Sequence, residues 1–272
     1  MDTLLAAVIM GIVQGLTEFL PVSSSGHLIL VPYLLGIDDP FITSLSFSVI
    51  LHVGTLVALL LYFRADWLRL VPAFLATLRD RSLAGEPDRR LALLIAVATV
   101  PALVLGYLLR DLESVVREVG PVAVMLVVGG GILWLAERSG ARSRVALDLS
   151  VRQALAIGGA QAIALIPGVS RSGISISAGL FAGLQRDEAA RFSFLMATPI
   201  TAAAAAYELF NVVRGAGVAV QVGPLAAGLV ASFVFGLLAI AVLLRFLRTR
   251  STDVFVVYRV LLAAVVFVTW LR

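Results

Sequence analysis

The chain has 272 residues, 60% of them hydrophobic and only 14% charged, with no cysteine and a mean hydropathy of +1.03. A soluble domain carries about 25% charged residues, so this composition excludes an ordinary soluble enzyme, and the missing cysteines exclude disulfides and thiolate metal sites. The net charge of +4 comes from arginines alone, since lysine is absent. They cluster in short loops between apolar segments, the pattern of membrane topology and not of a nucleic-acid surface.

The N-terminus, Met1-Asp2-Thr3, has no basic stretch and leads to no small-residue cleavage site, so it reads as mature protein. The first apolar segment, 3–36, is too long for one span and is broken by Pro21, Ser23, Ser24, Ser25 and Gly26. Apolar spans follow at 45–63, 91–109 and 119–136, each near the roughly 20 residues that cross a bilayer. A second over-long segment, 152–184, is broken at Pro167-Gly168-Val169-Ser170-Arg171-Ser172-Gly173, and spans at 192–210, 224–244 and 254–271 complete the chain. Broken helices are tolerated at membrane depth only where the freed backbone lines protein or a watery cavity. The expected fold is therefore an all-α integral membrane protein with six transmembrane helices and two re-entrant helix-turn-helix segments.

The arginines test this layout. With loop 64–90 cytoplasmic and both broken segments returning to the face they enter, fifteen arginines lie in cytoplasmic loops. Four, Arg110, Arg117, Arg214 and Arg272, lie on the opposite face, and Arg171 and Arg259 lie within apolar segments. Asymmetry of this size supports the orientation.

Shifting the sequence by 147 residues superimposes the two polar runs without a gap. Gly11 meets Gly158, Gln14 meets Gln161, Ser23 meets Ser170, Ser25 meets Ser172 and Gly26 meets Gly173, while Ser24 faces Arg171 and His27 faces Ile174. Each half is one broken segment followed by three spans. Because three is odd, the second half is inverted, giving one membrane domain of two repeats, about 1–137 and about 148–272, whose breaks meet inside the protein.

The breaks carry the chemistry. Gln14 and Glu18 are four residues apart and share a helix face. Pro21 marks the end of that helix, and a second half-helix begins near His27. Ser23, Ser25 and Gly26 in one break, and Ser170, Ser172, Gly173 and Ser175 in the other, offer hydroxyls and helix N-termini for phosphate. Arg171 adds a planar fork for phosphate oxygens. His27 is a candidate nucleophile or proton donor, and Ser24 an alternative nucleophile with His27 as its base. Glu18 can hold a divalent cation, Mg2+ or Ca2+, together with the substrate's phosphates, or move a proton. This is equipment for hydrolysing a phosphate ester or anhydride at a membrane. A secondary transporter or flippase for an anionic or lipid-phosphate substrate is the rival reading, since inverted repeats with broken helices are a transporter architecture.

Gln14-Gly-Leu-Thr-Glu18-Phe-Leu-Pro-Val-Ser-Ser-Ser-Gly-His27 resembles the first signature of the bacterial undecaprenyl-diphosphate phosphatases, also called bacitracin-resistance proteins, and Pro167 to Gly173 resembles their second. The resemblance covers essentially the whole chain. It implies removal of the terminal phosphate from a C55 polyprenyl diphosphate in the bacterial inner membrane, which recycles the lipid carrier for cell-wall synthesis. It also implies a pocket on the periplasmic face, a divalent-cation requirement, membrane lipids as partners, and homodimers. Glu18, Ser24, His27 and Arg171 match the family's essential groups by position, and Ser23, Ser170 and Ser172 its supporting ones. Gln14 stands where the family often has glutamate, which puts a two-carboxylate metal site in doubt, and Ser175 replaces a usual threonine while keeping the hydroxyl.

Other polar residues have plainer readings. His52 reads as a satisfied hydrogen-bonding histidine, Arg259 and Glu208 as snorkelling near span ends, and Asp38 and Asp39 as a solvated loop. Trp67, Trp134 and Trp270 read as interfacial anchors, and the run Thr201 to Ala206 as close helix packing.

Overall fold

A computed structural model describes residues 1–83, 85–109, 117–213 and 221–271. Arg110, Arg214 and Arg272, three of the arginines expected on the outer face, lie outside the described residues.

Among the described residues every long element is helical. In chain order these are α1 (Thr3–Phe19), α2 (Ser24–Leu35), α3 (Leu45–Tyr62), α4 (Arg64–Asp80), α5 (Pro87–Leu108) and α6 (Val119–Ser139). Then come α7 (Val151–Ala162), α8 (Arg171–Phe181), α9 (Arg186–Val213), α10 (Val222–Leu247) and α11 (Asp253–Trp270). Six of them, α3, α5, α6, α9, α10 and α11, are long and apolar enough to cross a bilayer. The chain is a multi-pass membrane protein. Both over-long apolar segments are broken helices, α1–α2 and α7–α8, and the half-helix after the first break starts at Ser24, three residues before the position the sequence suggested.

The surface is that of a protein solvated by lipid. On α10, Val230, Val234, Leu238 and Val242 are exposed at four-residue spacing, while Gly228, Ser232, Gly236 and Ala239 are buried. Helix–helix association in lipid relies on close packing of such small residues, because the lipid is as apolar as leucine.

Two crossings show this. α1 lies against α10, with Gly11 on the Gly228 carbonyl and Gly15 on the Ser232 carbonyl. α7 lies against α5, with Gly158 on the Ala98 carbonyl. Gly11 and Gly158 are the pair that the 147-residue shift superimposes. The central cluster adds Phe19, Phe63 and Phe194, with the Phe194 ring edge-on to Phe19 at 5.3 Å.

Segment 64–90 is not all loop, as the sequence suggested. α4 is amphipathic, with Leu68, Val71, Leu75 and Leu78 exposed along one face and Arg69 off it. A helix of this kind lies in the interfacial plane. Arg69 holds it to Asp88 (2.9 Å), and Arg191 of α9 pairs with its Asp66 (2.5 Å). At the same arginine-rich end, buried Glu137 accepts from Arg142 (2.7 Å), Arg186 Nε (2.8 Å) and Thr252 Oγ1 (2.9 Å), tying α6, α9 and α11 together. At the other end Asp39 is more than a solvated loop residue. It accepts from Thr3 Oγ1 (2.7 Å), then from the Phe41 and Ile42 N–H groups, and these bonds hold its carboxyl below the usual range.

A methyl group at the α5–α7 crossing has nowhere to go. Gly158→Ala is expected to lower thermal stability in detergent by about 1–3 kcal/mol. Its neighbour Gly159 has open space around it, so Gly159→Ala is expected to be neutral or slightly stabilising. Equal melting temperatures for the two variants would contradict the crossing.

Candidate functional site

The two breaks share one backbone device. α1 stops at Phe19, just before Pro21, and α8 begins after Pro167-Gly168. Ser23 and Ser170 each take φ 78°, where a side chain is strained by about 1–3 kcal/mol. Each is the N-cap of the following half-helix, with Oγ accepting from Gly26 N (3.3 Å) and from Gly173 N (3.1 Å) respectively.

The breaks touch. Gly168 N donates to Ser23 Oγ (3.1 Å), and Ser172 Oγ donates to the Leu20 carbonyl (3.0 Å). Arg259 binds both: its guanidinium donates to the carbonyls of Pro21 (3.2 Å), Gly168 (2.7 Å), Val169 (3.0 Å), Leu126 (2.8 Å) and Met125 (3.3 Å). The side chain is wholly buried. It does not snorkel, as the sequence suggested. The broken helices leave carbonyls without intrahelical partners, and the arginine fills that need.

Around this junction sits a buried carboxylate with four partners. Glu18 Oε2 accepts from Ser24 Oγ (2.6 Å) and from Gln14 Nε2 (2.9 Å), and lies 3.3 Å from His52 Nε2. Glu18 Oε1 pairs with Arg171, whose other terminal nitrogen donates to Thr201 Oγ1 (2.8 Å) and to the Ala197 carbonyl (3.4 Å). His52 Nδ1 donates to the Ser48 carbonyl (2.8 Å). Both His52 nitrogens therefore face acceptors.

The cluster opens into a cavity of about 570 Å³. Its polar wall contains Glu18, Ser24, Ser25, His52, Gln161, Arg171 and Thr201. Leu28, Leu45, Val49, Leu103, Leu165 and Ile200 form apolar walls, and Tyr107, Arg117 and Glu208 line it at the helix ends remote from the arginine-rich loops. Ser24 and Ser25 are the first residues of α2, so a helix N-terminus is presented to this space.

Of the residues singled out from sequence, Glu18, Ser24, Ser25 and Arg171 meet in the cavity, and Gln14 braces Glu18 from behind. His27 does not line it. Its Nδ1 donates to the Ser23 carbonyl (2.7 Å), its Nε2 faces the Tyr258 hydroxyl (2.7 Å), and its ring stacks on Tyr258 at 5.6 Å. Ser23, Gly26, Ser170, Ser172, Gly173 and Ser175 are also absent from the lining. Their hydroxyls and amides close the caps and cross-links above, and Ser175 Oγ bonds the Arg171 carbonyl (2.7 Å) and Ser193 Oγ (2.5 Å). Strained, broken backbone consumes such groups.

Three residues of the polar wall named above escaped the sequence reading of the site. His52 is locally satisfied by Ser48, as expected, but its other nitrogen meets Glu18. Thr201 opens a run that reads as packing. Gln161 stood out only as the repeat mate of Gln14.

The donors do not fit a resident divalent cation. Hard cations take several oxygen ligands. Glu18 is the carboxylate at the junction of the breaks, the other on the cavity wall being Glu208 at the remote helix ends, and both Glu18 oxygens already face N–H or O–H donors, one of them a guanidinium. No group of three His, Cys, Asp or Glu side chains that could hold a metal ion exists among the described residues. Gln14, which cannot ionise, donates where a second carboxylate would ligate.

Residues 7–265 match the family described as bacitracin resistance protein BacA. The chain is 47% identical over 268 residues to the undecaprenyl-diphosphatase of Gemmatimonas aurantiaca, covering 98% of both chains. It is 50% identical over 266 residues to that of Rubrobacter xylanophilus, covering 97% of both, and 39% identical over 265 residues to that of Methanosphaera stadtmanae, covering 94% of both.

Removing the guanidinium that joins the breaks strands several buried carbonyls, each worth about 1–3 kcal/mol when left unpaired. Arg259→Met is expected to cost on the order of 3 kcal/mol in detergent unfolding and to abolish activity, while Arg171→Met, which strands one buried carboxylate, is expected to lose activity with a smaller fall in melting temperature. A fully stable Arg259→Met protein would contradict the assigned role.

Proposed function

The chain belongs to the bacitracin resistance protein family, and on that footing we propose that Ser24, Glu18 and Arg171 remove the terminal phosphate of undecaprenyl diphosphate. The products are undecaprenyl phosphate, the lipid carrier reused in cell-wall synthesis, and inorganic phosphate. Bacitracin resistance follows from the same activity.

One observation carries the assignment of roles: the 2.6 Å hydrogen bond from Ser24 Oγ to the Glu18 carboxylate, facing the cavity. In this reading Ser24 Oγ attacks the terminal phosphorus and its proton passes to Glu18. The bond from that phosphorus to the bridging oxygen breaks, and the oxygen keeps the electron pair and leaves on undecaprenyl phosphate. Arg171 has five N–H donors and bonds three protein acceptors, so donors remain for phosphoryl oxygens. The N-terminus of α2 adds its dipole. His52 and Gln14 hold Glu18 in place. His27, with both nitrogens engaged, is a positioning residue that fixes the Ser23 turn and hence the Ser24 hydroxyl. No step passes through a metal ion, because the donor set does not fit one.

The setting follows the sequence reading. The two helix-break-helix units, in repeats of about 1–137 and about 148–272, dip from opposite faces of the bacterial inner membrane. The helix ends at Tyr107, Arg117 and Glu208 open to the periplasmic side, away from the arginine-rich loops. The lipid tail leaves the apolar walls for the bilayer. The exchanged pairing of α1 with α10 and α7 with α5 is what favours a flippase as the second reading. Hydrolysis persists in detergent, where transport cannot be observed, so phosphate release from solubilised protein separates the two.

Ser24→Ala and Glu18→Gln are each expected to lower kcat by about 10²-fold or more, with the protein still folded. Rapid acid quenching of the wild type is expected to trap an acid-stable phosphoserine at position 24. An acid-labile phosphohistidine, or normal turnover by Ser24→Ala, would overturn the assignment. His52→Gln is expected to retain some activity, since an amide can still donate to Glu18, and His52→Leu to lose most of it.

A further inference from the structure

We propose that Gln161 is a catalytic residue: its amide holds the water that hydrolyses the Ser24 phosphoenzyme. This deepens the phosphatase reading and rests on Ser24 as its nucleophile. Gln161 lies near the end of α7, only 4% exposed, on the wall of the cavity that holds Glu18, Ser24 and Arg171. Neither its Nε2 nor its Oε1 has a hydrogen-bond partner among the described residues. A buried polar group left without a partner destabilises the fold, so a side chain kept in this state has its partner in what enters the cavity.

The repeat explains how the amide came free. Gln14, 147 positions earlier, donates to Glu18 four residues along its helix. Four residues after Gln161 stands Leu165, which also lines the cavity. The first repeat closes the Nε2 of its glutamine on a carboxylate and leaves only Oε1 without a partner among the described residues. The second replaces that carboxylate with leucine and leaves the amide of a cavity-wall residue buried and without a partner among the described residues.

The two orphaned atoms select the occupant. A phosphoryl oxygen only accepts, so it satisfies Nε2 and leaves Oε1 bare. A cation satisfies Oε1 and leaves Nε2. A water lying beside a phosphoryl group satisfies both: the water donates to Oε1, and Nε2 donates to the phosphoryl oxygen. Side-chain amides orient attacking water in other phosphoryl-transfer enzymes by the same complementarity.

The step balances. The water oxygen forms a bond to the phosphorus carried by Ser24, and the bond from phosphorus to Oγ breaks. Oγ keeps the electron pair and takes back the proton that Glu18 accepted in the first half-reaction. Glu18 then takes a proton from the attacking water and passes it to the departing phosphate, which carries it to solvent and leaves the carboxylate ionised. Gln161 holds the water and neither gains nor loses a proton.

The test uses the full chain in detergent with undecaprenyl diphosphate labelled on its terminal phosphate, followed by quenched flow. Gln161→Leu is expected to release the first equivalent of undecaprenyl phosphate at close to the wild-type rate. It is expected to slow inorganic phosphate release about 10²-fold, the cost of a misplaced reactant, and to accumulate acid-stable label on Ser24. Its melting temperature is expected to hold or rise, because leucine removes two unpaired buried polar atoms at nearly constant volume. Gln161→Asn, which keeps both polar atoms on a shorter stem, is expected to recover part of the loss. Equal slowing of both half-reactions, normal phosphate release, or lost stability in Gln161→Leu would overturn the role of Gln161. Turnover without any label on Ser24 in the wild type would overturn the nucleophile assignment, and this proposal with it.

Discussion

The Arg259 guanidinium, bonded to five backbone carbonyls, is the interaction on which the rest of the structure depends. A helix broken inside an apolar bundle leaves carbonyls that neither lipid nor the helix itself can satisfy. Placing the two breaks against one cation satisfies several at once, and it requires that the breaks meet. The Ser23–Gly168 and Ser172–Leu20 hydrogen bonds then fix their register. Glu18 and Arg171, separated by most of the first repeat in sequence, become an ion pair as a consequence. The buried carboxylate is tolerable because it is paired and fully hydrogen-bonded, and losing Arg171 would leave its charge stranded.

The matched breaks divide the work by position. Ser23 and Ser170 occupy the same strained turn and both cap the helix that follows. The next residue in each, Ser24 or Arg171, is the first of the half-helix and faces the cavity. One repeat thus delivers a hydroxyl and the other a cation to the same space from equivalent backbone. Glu18 and Leu165 differ in the same way, one supplying a carboxylate and the other an apolar wall. Two turns of the same backbone form thus present different side chains to one cavity.

How much of this the sequence reveals depends on how lipid constrains each residue. Polar groups are costly at membrane depth, so the two broken segments, Glu18, Ser24 and Arg171 stand out against apolar surroundings. α4 does not stand out, because its apolar run from Leu70 to Leu78 is too short to cross a bilayer and is flanked by Arg64, Asp66, Arg69, Arg79 and Asp80. Arg259 looks like a snorkelling residue because a single cation near a span end has that appearance whichever way it points. His52 shows only its local bond to Ser48, and its contact with Glu18 crosses from α3 to α1. The motif names His27 and the serines of the breaks as polar, but it cannot say which turn toward the cavity and which close the backbone. That depends on a φ of 78° at two positions, which no residue type announces.

The cavity's composition follows from the amphiphile that such an enzyme must hold. A lipid diphosphate carries a multiply charged head on a long apolar tail, and water must reach the phosphorus while the tail stays in hydrocarbon. Leu45, Val49, Leu103 and Ile200 continue the lipid phase inward, and Glu18, Ser24, His52, Gln161 and Arg171 form the polar floor. A donor-rich floor of low dielectric stabilises developing negative charge more strongly than water does, and Arg171 supplies a fixed positive charge without the ligand cage that a divalent ion demands. Glu18 keeps the floor from becoming purely cationic and places an acceptor on the Ser24 hydroxyl. The same carboxylate that pairs with Arg171 in the bilayer is thus the one that the proposed mechanism uses as its base.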